Sequence, residues 1–224
     1  MTFIHLFYGS PGTGKTSLSF AIAGIFGLDV YCVSLAEASI TEEDLVMLFD
    51  ELPEQCLVLL EDVDSARLTV RDENMIKDNG SGVQSSSSRI SLSGLLDVID
   101  GIASHEGRLL IMTTNHIEAL DSALLRPGRM DVRIRFDLAM KKQAQDLFLQ
   151  TFMTLNSNEA KESNDKKSLD DLNQMACAFA AEIPEQKLSP AAIQGYLMNW
   201  KKIPVDAVAN VREWLLNEGD GQVL

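Results

Sequence analysis

A glycine-rich run near the start of the chain constrains the fold most strongly. The run Gly9-Ser10-Pro11-Gly12-Thr13-Gly14-Lys15-Thr16 follows the β-rich segment 2–8 and precedes a helical pattern over 15–26. This pattern between a strand and a helix is typical of a loop whose backbone N–H groups surround phosphates. By chance it would arise in roughly one chain in a hundred of this length. The run therefore predicts an α/β fold with a phosphate-binding loop.

Each part of this loop has a predicted task. The glycines let the main chain turn its amides inward, and the following helix points its positive end at the anion. Lys15 is expected to reach the β and γ phosphate oxygens, and Thr16 to offer its hydroxyl to Mg²⁺. The predicted nucleotide-binding residues are Gly9, Ser10, Pro11, Gly12, Thr13, Gly14, Lys15, Thr16 and Ser17. The predicted cofactors are ATP and Mg²⁺.

Several apolar runs indicate the strands of a sheet. Leu57-Val58-Leu59-Leu60 and Leu109-Leu110-Ile111-Met112 are continuous apolar runs, as expected of parallel strands buried on both faces. The segment 30–33 predicts another strand, and the alternating segment 132–136 predicts a strand at the sheet edge. Thr41 followed by Asp44 predicts a capping box at the start of a helix that ends before Pro53. Strands separated by helical segments predict a parallel sheet between helices.

The character of the chain changes near Met140, after which the pattern is helical throughout. We expect helices over 141–154 and 204–217, one capped by Ser168 after a polar loop over 156–167, and one opening at Ser189. These patterns predict an α/β domain over 1–139 and a small all-α lid domain over 140–224. Within the first domain, the segment 66–90 is rich in Ser and Gly and is predicted to be a mobile surface loop.

Acidic and amide side chains follow the two most apolar strands. Glu61 and Asp62 come directly after the first, where ligands of parallel sheets bind. One of the two is expected to hold Mg²⁺ and the other to orient the attacking water. Asn115 follows the second strand and could reach the γ-phosphate, although asparagine is also common where an ordinary strand enters a turn.

Arg126 and Arg129 stand on either side of a Pro-Gly turn. Arginine accelerates phosphoryl transfer by neutralising charge that grows in the transition state. Surface arginines near turns are common, but this pair lies far along the chain from the phosphate loop. We therefore interpret it as a pair of fingers offered to the ATP of a neighbouring subunit.

The composition excludes several classes of protein. The net charge of −14 would repel phosphate backbones, so no nucleic-acid partner is expected. Cys32, Cys56 and Cys177 are too few and too widely spaced for a disulfide framework or a zinc cluster, and buried free thiols are expected instead. No run of eighteen apolar residues is present, so the chain as given is expected to be soluble.

Taken together, these motifs resemble the AAA ATPases, an ATP-hydrolysing family with a P-loop fold and a helical lid. The stretch 121–131, Asp-Ser-Ala-Leu-Leu-Arg-Pro-Gly-Arg-Met-Asp, is similar to the second region of homology of that family. The resemblance implies that Asn115 is the first sensor and that Arg126 and Arg129 act in trans within a homo-oligomeric ring.

Three segments resemble one group within the family, the mitochondrial inner-membrane chaperones that translocate the Rieske iron-sulfur protein into respiratory complex III. They are 60–64, 92–102 and 188–197. The resemblance implies a heptameric ring facing the matrix, a folded protein client such as the Rieske subunit, and a membrane anchor outside this chain.

The chain departs from the usual family pattern in several places. Glu61 precedes Asp62, whereas most members have aspartate before glutamate, so the identity of the base stays open. The stretch 35–40 has no aromatic residue, which argues against threading of an unfolded client, and 189–192 has no basic second sensor. The segment that usually contacts adenine is not found before the first strand, so we expect an ATPase module excised from a longer protein.

Other functions share the phosphate loop. A GTPase is disfavoured because the chain has no Asn-Lys-x-Asp motif, and a small-molecule kinase because no basic lid cluster is evident. The remaining alternatives are another AAA remodelling ATPase and a scaffold that binds ATP without turnover.

Overall fold

The computed structural model describes residues 3–35, 40–65, 90, 92–104, 107–126, 130, 132–157, 165–201 and 203–219. These residues form five strands: β1 (Phe3–Gly9), β2 (Asp29–Ser34), β3 (Cys56–Glu61), β4 (Leu109–Thr114) and β5 (Val132–Phe136). They also form seven α-helices: α1 (Lys15–Phe26), α2 (Glu42–Asp50), α3 (Leu92–Ser104), α4 (Lys141–Ser157), α5 (Asp165–Glu182), α6 (Pro190–Asn199) and α7 (Pro204–Gly219). A short 3-10 helix covers Ile117–Ala119. The predicted mobile loop over 66–90 lies, apart from Ile90, outside the described residues.

Contacts along the chain divide it into two compact units. The first comprises Met1–Gly9 and Lys15–Phe136, and the second comprises Ser10–Gly14 and Asp137–Leu224. The first unit contains the sheet and the second contains the helices α4 to α7. The prediction of an α/β fold with a parallel sheet and a C-terminal helical lid region is confirmed.

The five strands form one parallel sheet in the order β2-β3-β4-β1-β5. The apolar run in β3 is buried along its whole length, as predicted for a strand covered on both faces. Among the described residues, the alternating strand β5 pairs only with β1 and lies at the sheet edge, as predicted. Because all strands run in one direction, the carboxyl ends of β1, β3 and β4 lie side by side at one edge of the sheet.

Alternate residues of the strands enter two separate cores. Leu6, Val58 and Leu60 pack with the buried side chains of α2 and α3 on one face of the sheet. On the other face, Phe7 and Leu59 pack with Ala23 of α1. The period-two alternation of a strand explains why neighbours in sequence belong to different cores. The sheet is therefore held between helices.

The ends of α2 are fixed by two different devices. At its start, the backbone N–H of Asp44 donates to the Thr41 hydroxyl, and the backbone N–H of Thr41 donates to the Asp44 carboxylate, which confirms the predicted capping box. At its end, the buried guanidinium of Arg108 donates to the carbonyls of Phe49, Leu52 and Pro53 over distances of 2.5 to 3.2 Å. The sequence pattern contained no sign of the second device, because Arg108 is far from α2 along the chain.

The second unit has an aromatic core of its own. The rings of Phe148 and Phe179 have centroids 5.3 Å apart, and Tyr196 stacks on Trp214 at 4.5 Å. The hydroxyl of Tyr196 donates to the carbonyl of Ala207 over 2.7 Å. This bond satisfies the polar end of a side chain that is otherwise surrounded by apolar groups.

Two expectations about this unit have different outcomes. Ser189 is the N-cap of α6, as predicted, and its hydroxyl accepts a hydrogen bond from the backbone N–H of Ala192 over 3.2 Å. The prediction that Ser168 caps α5 is wrong, because α5 begins at Asp165 and Ser168 lies inside its first turn. Lysine is a good helix former, so Lys166 and Lys167 extend the helix. Of the predicted polar loop over 156–167, residues 156–157 belong to α4 and 165–167 to α5, and the remainder lies outside the described residues.

The expectation of buried thiols holds only for Cys56, since Cys32 and Cys177 are exposed. Cys32 lies on β2, which in the part of the chain that the structure describes is an edge strand paired with β3 alone. Cys177 lies on α5, where its thiol accepts a hydrogen bond from the Gln145 amide over 3.2 Å. Residue type alone did not distinguish these positions from the core.

Candidate active site

The carboxyl edge of the sheet brings together polar side chains that are distant in sequence. Lys15 and Thr16 occupy the first turn of α1, which follows the loop after β1. Glu61 ends β3 and Asp62 follows it, while Asn115 comes directly after β4. The residues that the sequence analysis assigned to phosphate, metal and water therefore share one edge, as parallel strand ends should.

Lys15 is buried although it carries an amine, with 8% of its surface exposed. Its Nζ donates to the carbonyl of Gly9 over 2.7 Å and to Asn115 Oδ1 over 2.7 Å. Burial lowers the pKa of this amine from its ordinary value, and the negative charges of Asp62 and Asp64 partly oppose that effect. These oxygen acceptors hold the ammonium group at the carboxyl edge of the sheet.

Asn115 links Lys15 to Asp62. Its Oδ1 accepts from Lys15, and its Nδ2 donates to Asp62 Oδ1 over 3.3 Å. Only this orientation of the amide is chemically consistent, because an ammonium group can only donate and a carboxylate can only accept. The three side chains thus form a hydrogen-bonded chain that runs from the Lys15 cation through the Asn115 amide to the Asp62 anion.

Thr16 and Glu61 form the second pair of the site. The Thr16 hydroxyl donates to Glu61 Oε1 over 2.6 Å, and the Cys32 thiol donates to Glu61 Oε2 over 3.4 Å. Partial desolvation by the neighbouring protein atoms, together with the hydrogen bond to Glu61 and its negative charge, raises the pKa of Cys32 to about 11. A hydroxyl and a carboxylate are oxygen donors of the type that Mg²⁺ prefers, so this pair fits the predicted metal position.

Asp62 has a backbone conformation that non-glycine residues seldom adopt, with φ of 51°. Its backbone N–H donates to the Thr113 hydroxyl over 3.2 Å, and its carbonyl accepts from the N–H of Ser65 over 2.8 Å. Left-handed conformations held by surrounding bonds are frequent at functional sites. The turn at Asp62 carries its carboxylate towards the Asn115 amide.

Two glycines of the loop are required by close contacts. A Cβ atom on Gly9 would lie 2.0 Å from the carbonyl oxygen of Phe136 in β5. Gly12 has φ of 72°, and a Cβ there would lie 2.9 Å from the Ser189 hydroxyl oxygen. Within the second unit, the backbone N–H of Ala191 donates to the Gly12 carbonyl over 3.1 Å. Larger side chains at either position would displace the main chain of the loop.

The two predicted arginine fingers differ in what the structure describes. Arg126 is exposed and follows a turn in which the backbone N–H of Leu124 donates to the Asp121 carbonyl over 3.1 Å. Leu124 is buried and anchors this turn in the core of the first unit. Arg129 lies outside the described residues, together with Pro127 and Gly128.

The sequence analysis missed several residues that support the site. Thr113 and Thr114 are buried at the end of β4, and their side-chain oxygens bond to the segment that contains Asp62 and Asp64. A signal was present, because polar residues at the end of an otherwise apolar strand need partners. Their partners could not be assigned without the strand order.

Two features are absent from the described residues. Within the parts of the chain that the structure describes, none of the helices has the length and apolar character needed to cross a bilayer. Over the same ranges, no group of three or more His, Cys, Asp or Glu side chains could hold a metal ion. The pair of Thr16 and Glu61 would instead act with phosphate oxygens and water, which is the usual environment of Mg²⁺ in nucleotide sites.

Comparison with known families agrees with this fold. Residues 5–138 match the family described as ATPase family associated with various cellular activities (AAA). The chain therefore belongs to the AAA ATPase family. Residues 141–213 match the family model described as mitochondrial chaperone BCS1-like, ATPase lid domain.

Individual relatives agree with both matches. The chain is 38% identical over 208 residues to the probable mitochondrial chaperone BCS1-A of Dictyostelium discoideum, covering 93% of this chain and 45% of the relative. It is also 38% identical to mitochondrial chaperone BCS1 of Homo sapiens, covering 92% of this chain and 45% of the relative. The chain thus spans less than half the length of these relatives.

Proposed function

We propose that this chain is an Mg²⁺-dependent ATP hydrolase and the motor part of a BCS1-like chaperone. The observation that carries the proposal is the chain of contacts from Lys15 through Asn115 to Asp62. These contacts align an ammonium group, an amide and a carboxylate at the carboxyl edge of the sheet, and in this proposal the ammonium group binds the phosphates. Such an arrangement suits transfer of a phosphoryl group to water, because positioning and charge stabilisation supply most of the catalysis.

Each residue has a distinct task in this proposal. The ammonium group of Lys15 leaves its present acceptors and binds oxygens of the β and γ phosphates. Thr16 and Glu61 would hold Mg²⁺, which when bound would neutralise part of the phosphate charge. The contact of 2.6 Å between these two side chains favours Glu61, rather than Asp62, as the carboxylate that holds the metal.

Asp62 then orients the attacking water, with Asn115 beside it. The water oxygen forms a bond to the γ phosphorus while the bond to the bridging oxygen of ADP breaks, and Asp62 accepts the proton of the water. The products are ADP and inorganic phosphate. Asp62 suits this role because its carboxylate accepts a hydrogen bond from Asn115, while Glu61 is engaged by Thr16 and Cys32.

The proposal extends to a homo-oligomeric ring, heptameric by resemblance, in which Arg126 and Arg129 contact the ATP of the next subunit. The exposed position of Arg126 supports this role. The names of the relatives support a location in mitochondria. By resemblance, we propose the inner membrane with this domain facing the matrix, and a folded client such as the Rieske iron-sulfur protein during assembly of complex III.

A nucleotide panel tests the activity. Phosphate release is measured with ATP, GTP and CTP, with and without Mg²⁺, over a range of protein concentrations. Release specific to ATP and Mg²⁺, with a rate per subunit that rises with concentration, would support a ring ATPase. A rate per subunit independent of concentration would contradict the ring, and binding without turnover would favour a nucleotide-switched scaffold.

A mixing experiment tests the trans-acting arginine. Arg129→Ala and Asp62→Asn subunits should each be inactive alone but recover part of the activity when mixed, because some interfaces would then pair an intact arginine with an intact carboxylate. Activity that stays absent in the mixture, while both variants still bind ATP and assemble, would place Arg129 in its own subunit's site. Arg212→Ala, a variant on α7, is the control for loss of a positive charge.

A further inference from the structure

Asp64 lies two residues beyond Asp62 and contacts the end of β4. Its Oδ1 accepts a hydrogen bond from the Thr114 hydroxyl over 2.6 Å and another from the backbone N–H of Asn115 over 3.3 Å. Neither contact reaches the phosphate position directly. Asp64 therefore acts on the site through its neighbours on β4.

The direction of these hydrogen bonds is determined by chemistry. The Thr114 oxygen accepts from the backbone N–H of His116 over 3.0 Å, and its own hydrogen points to the Asp64 carboxylate, which can only accept. Thr114 has no exposed surface, so water cannot easily replace this acceptor. Loss of the Asp64 carboxylate would leave a buried hydroxyl donor without its partner, and the end of β4 would have to move.

The sheet itself does not hold Asn115. The pairing of β4 with β1 ends at Thr114, and its pairing with β3 ends at Met112. Beyond these points, the backbone of Asn115 is attached to the β3 side of the site through Asp64. Bonds from the backbone N–H groups of Asp62 and Val63 attach Thr113, two residues before Asn115, in the same way.

We propose that Asp64 is a positioning residue for ATP hydrolysis: its carboxylate holds the main chain of Asn115 so that the Asn115 amide stays beside Asp62, where the attacking water is oriented. This inference rests on the proposed function. It requires an acceptor at Asp64 and does not require its negative charge. Asparagine at this position can accept the same two hydrogen bonds and should therefore substitute for it.

The test compares Asp64→Ala with Asp64→Asn in steady-state ATP hydrolysis. Displacement of a catalytic group by about 1 Å lowers turnover by up to about a hundredfold, so Asp64→Ala should reduce kcat at least about tenfold. The KM for ATP should change little, because Lys15 and the loop amides still bind the phosphates. Asp64→Asn should recover most of kcat, and Asp64→Ala in an Asn115→Ala background should cause little additional loss.

Asp44→Ala is the matched control. Like Asp64, Asp44 accepts hydrogen bonds from a threonine hydroxyl and from a backbone N–H, in this case both from Thr41. Asp44 belongs to the capping box of α2 and has no assigned role in hydrolysis. It should leave kcat unchanged. Normal turnover in Asp64→Ala, or equal loss in Asp64→Asn and Asp64→Ala, would overturn the proposal.

A second readout separates this inference from the proposed function and does not need turnover. Hydrogen exchange of the Asn115 backbone amide, followed by NMR, should be faster in Asp64→Ala than in the unchanged chain and normal in Asp64→Asn. If the chain does not split ATP, the proposed function fails while this structural result can still be obtained. An unchanged exchange rate of the Asn115 amide in Asp64→Ala would overturn the positioning role. If Asp64→Ala does not fold, the test falls to Asp64→Asn, in which a faster exchange rate than in the unchanged chain would overturn the proposal.

Discussion

Lys15 and Asn115 are a hundred positions apart in the chain, and 2.7 Å separates the Lys15 amine from the Asn115 amide oxygen. The contact exists because β4 lies directly beside β1 in the sheet. A phosphate oxygen that approaches Lys15 would compete with Asn115 for the same ammonium group. Release of Asn115 would leave its amide available to the γ-phosphate and the attacking water.

The first prediction concerns Asn115→Ala. Turnover should fall by about tenfold to a hundredfold because a group that orients water is lost. ATP affinity should not weaken, since Lys15 would lose a competitor for the phosphate. Rapid-mix phosphate release and equilibrium titration with a fluorescent ATP analogue measure the two quantities. Asn210→Ala, which removes an amide on α7 that donates to the Asp206 carbonyl, is the control.

The second prediction separates the two acidic residues. Asp62→Asn should abolish hydrolysis but leave Mg²⁺-dependent ATP binding intact, because the amide cannot accept the proton of the water. Glu61→Gln and Thr16→Val should raise the Mg²⁺ concentration needed for half-maximal binding, since each alters an oxygen donor on the metal side. Magnesium titrations of ATP binding measure this difference. The opposite pattern in the two acidic variants would exchange the roles of Glu61 and Asp62.

The third prediction concerns the stability of the first unit. Arg108→Met removes a buried guanidinium that donates to three carbonyls at the end of α2 and should lower the free energy of unfolding by on the order of 2–4 kcal/mol. Urea unfolding followed by circular dichroism measures the change. Arg212→Met is the matched control, because Arg212 makes bonds of 2.7 Å to Glu182 on an exposed surface, where ion pairs contribute little. Equal effects of the two substitutions would contradict the role of Arg108.

The fourth prediction is a loss of stability at alkaline pH that depends on Tyr196. Burial raises the pKa of this phenol to about 12 from an ordinary value of 10.0. Between these two values the unfolded chain loses the phenolic proton while the folded chain retains it, so stability falls as pH rises. Tyr196→Phe should lack this component, and below that range it should cost about 1 kcal/mol through loss of the bond to Ala207.

Unfolding at a series of pH values, with the ultraviolet absorbance of tyrosinate as a second signal, measures this effect. Below the titration range Tyr196→Phe should be the less stable protein, and this difference should shrink and then reverse in sign as pH rises, because each pH unit between about 10 and 12 costs the unchanged chain about 1.4 kcal/mol. A difference that stays constant across the range would show that Tyr196 does not titrate with unfolding.

Much of the fold could be predicted because its signals are local. The apolar runs of β3 and β4, the cap at Thr41 and the Ser-Pro start of α6 are each determined within a few residues. The failure at Ser168 was also local, since the spacing of Ser168 and Asp171 that marks a helix start also occurs inside helices. A helix cap lies where the backbone hydrogen bonding of the helix begins or ends, and the residue types around Ser168 did not show that position.

The support around the site could not be predicted, because it depends on which strands are neighbours. The bonds of Asp64 to the end of β4 and of Arg108 to the end of α2 join segments fifty or more positions apart. Likewise, the left-handed conformation of Asp62 follows from bonds with Thr113. The phosphate loop was recognisable because its whole function is contained in consecutive residues.

The central claim is that Lys15 and the loop before it bind the triphosphate of ATP, and calorimetric titration of Mg·ATP tests it most directly. The unchanged chain should bind ATP saturably at one site per subunit. Lys15→Ala should bind at least about a hundredfold more weakly, because charge-assisted hydrogen bonds to the β and γ phosphates are lost. Equal affinity in the two proteins, or no saturable binding by the unchanged chain, would contradict the account.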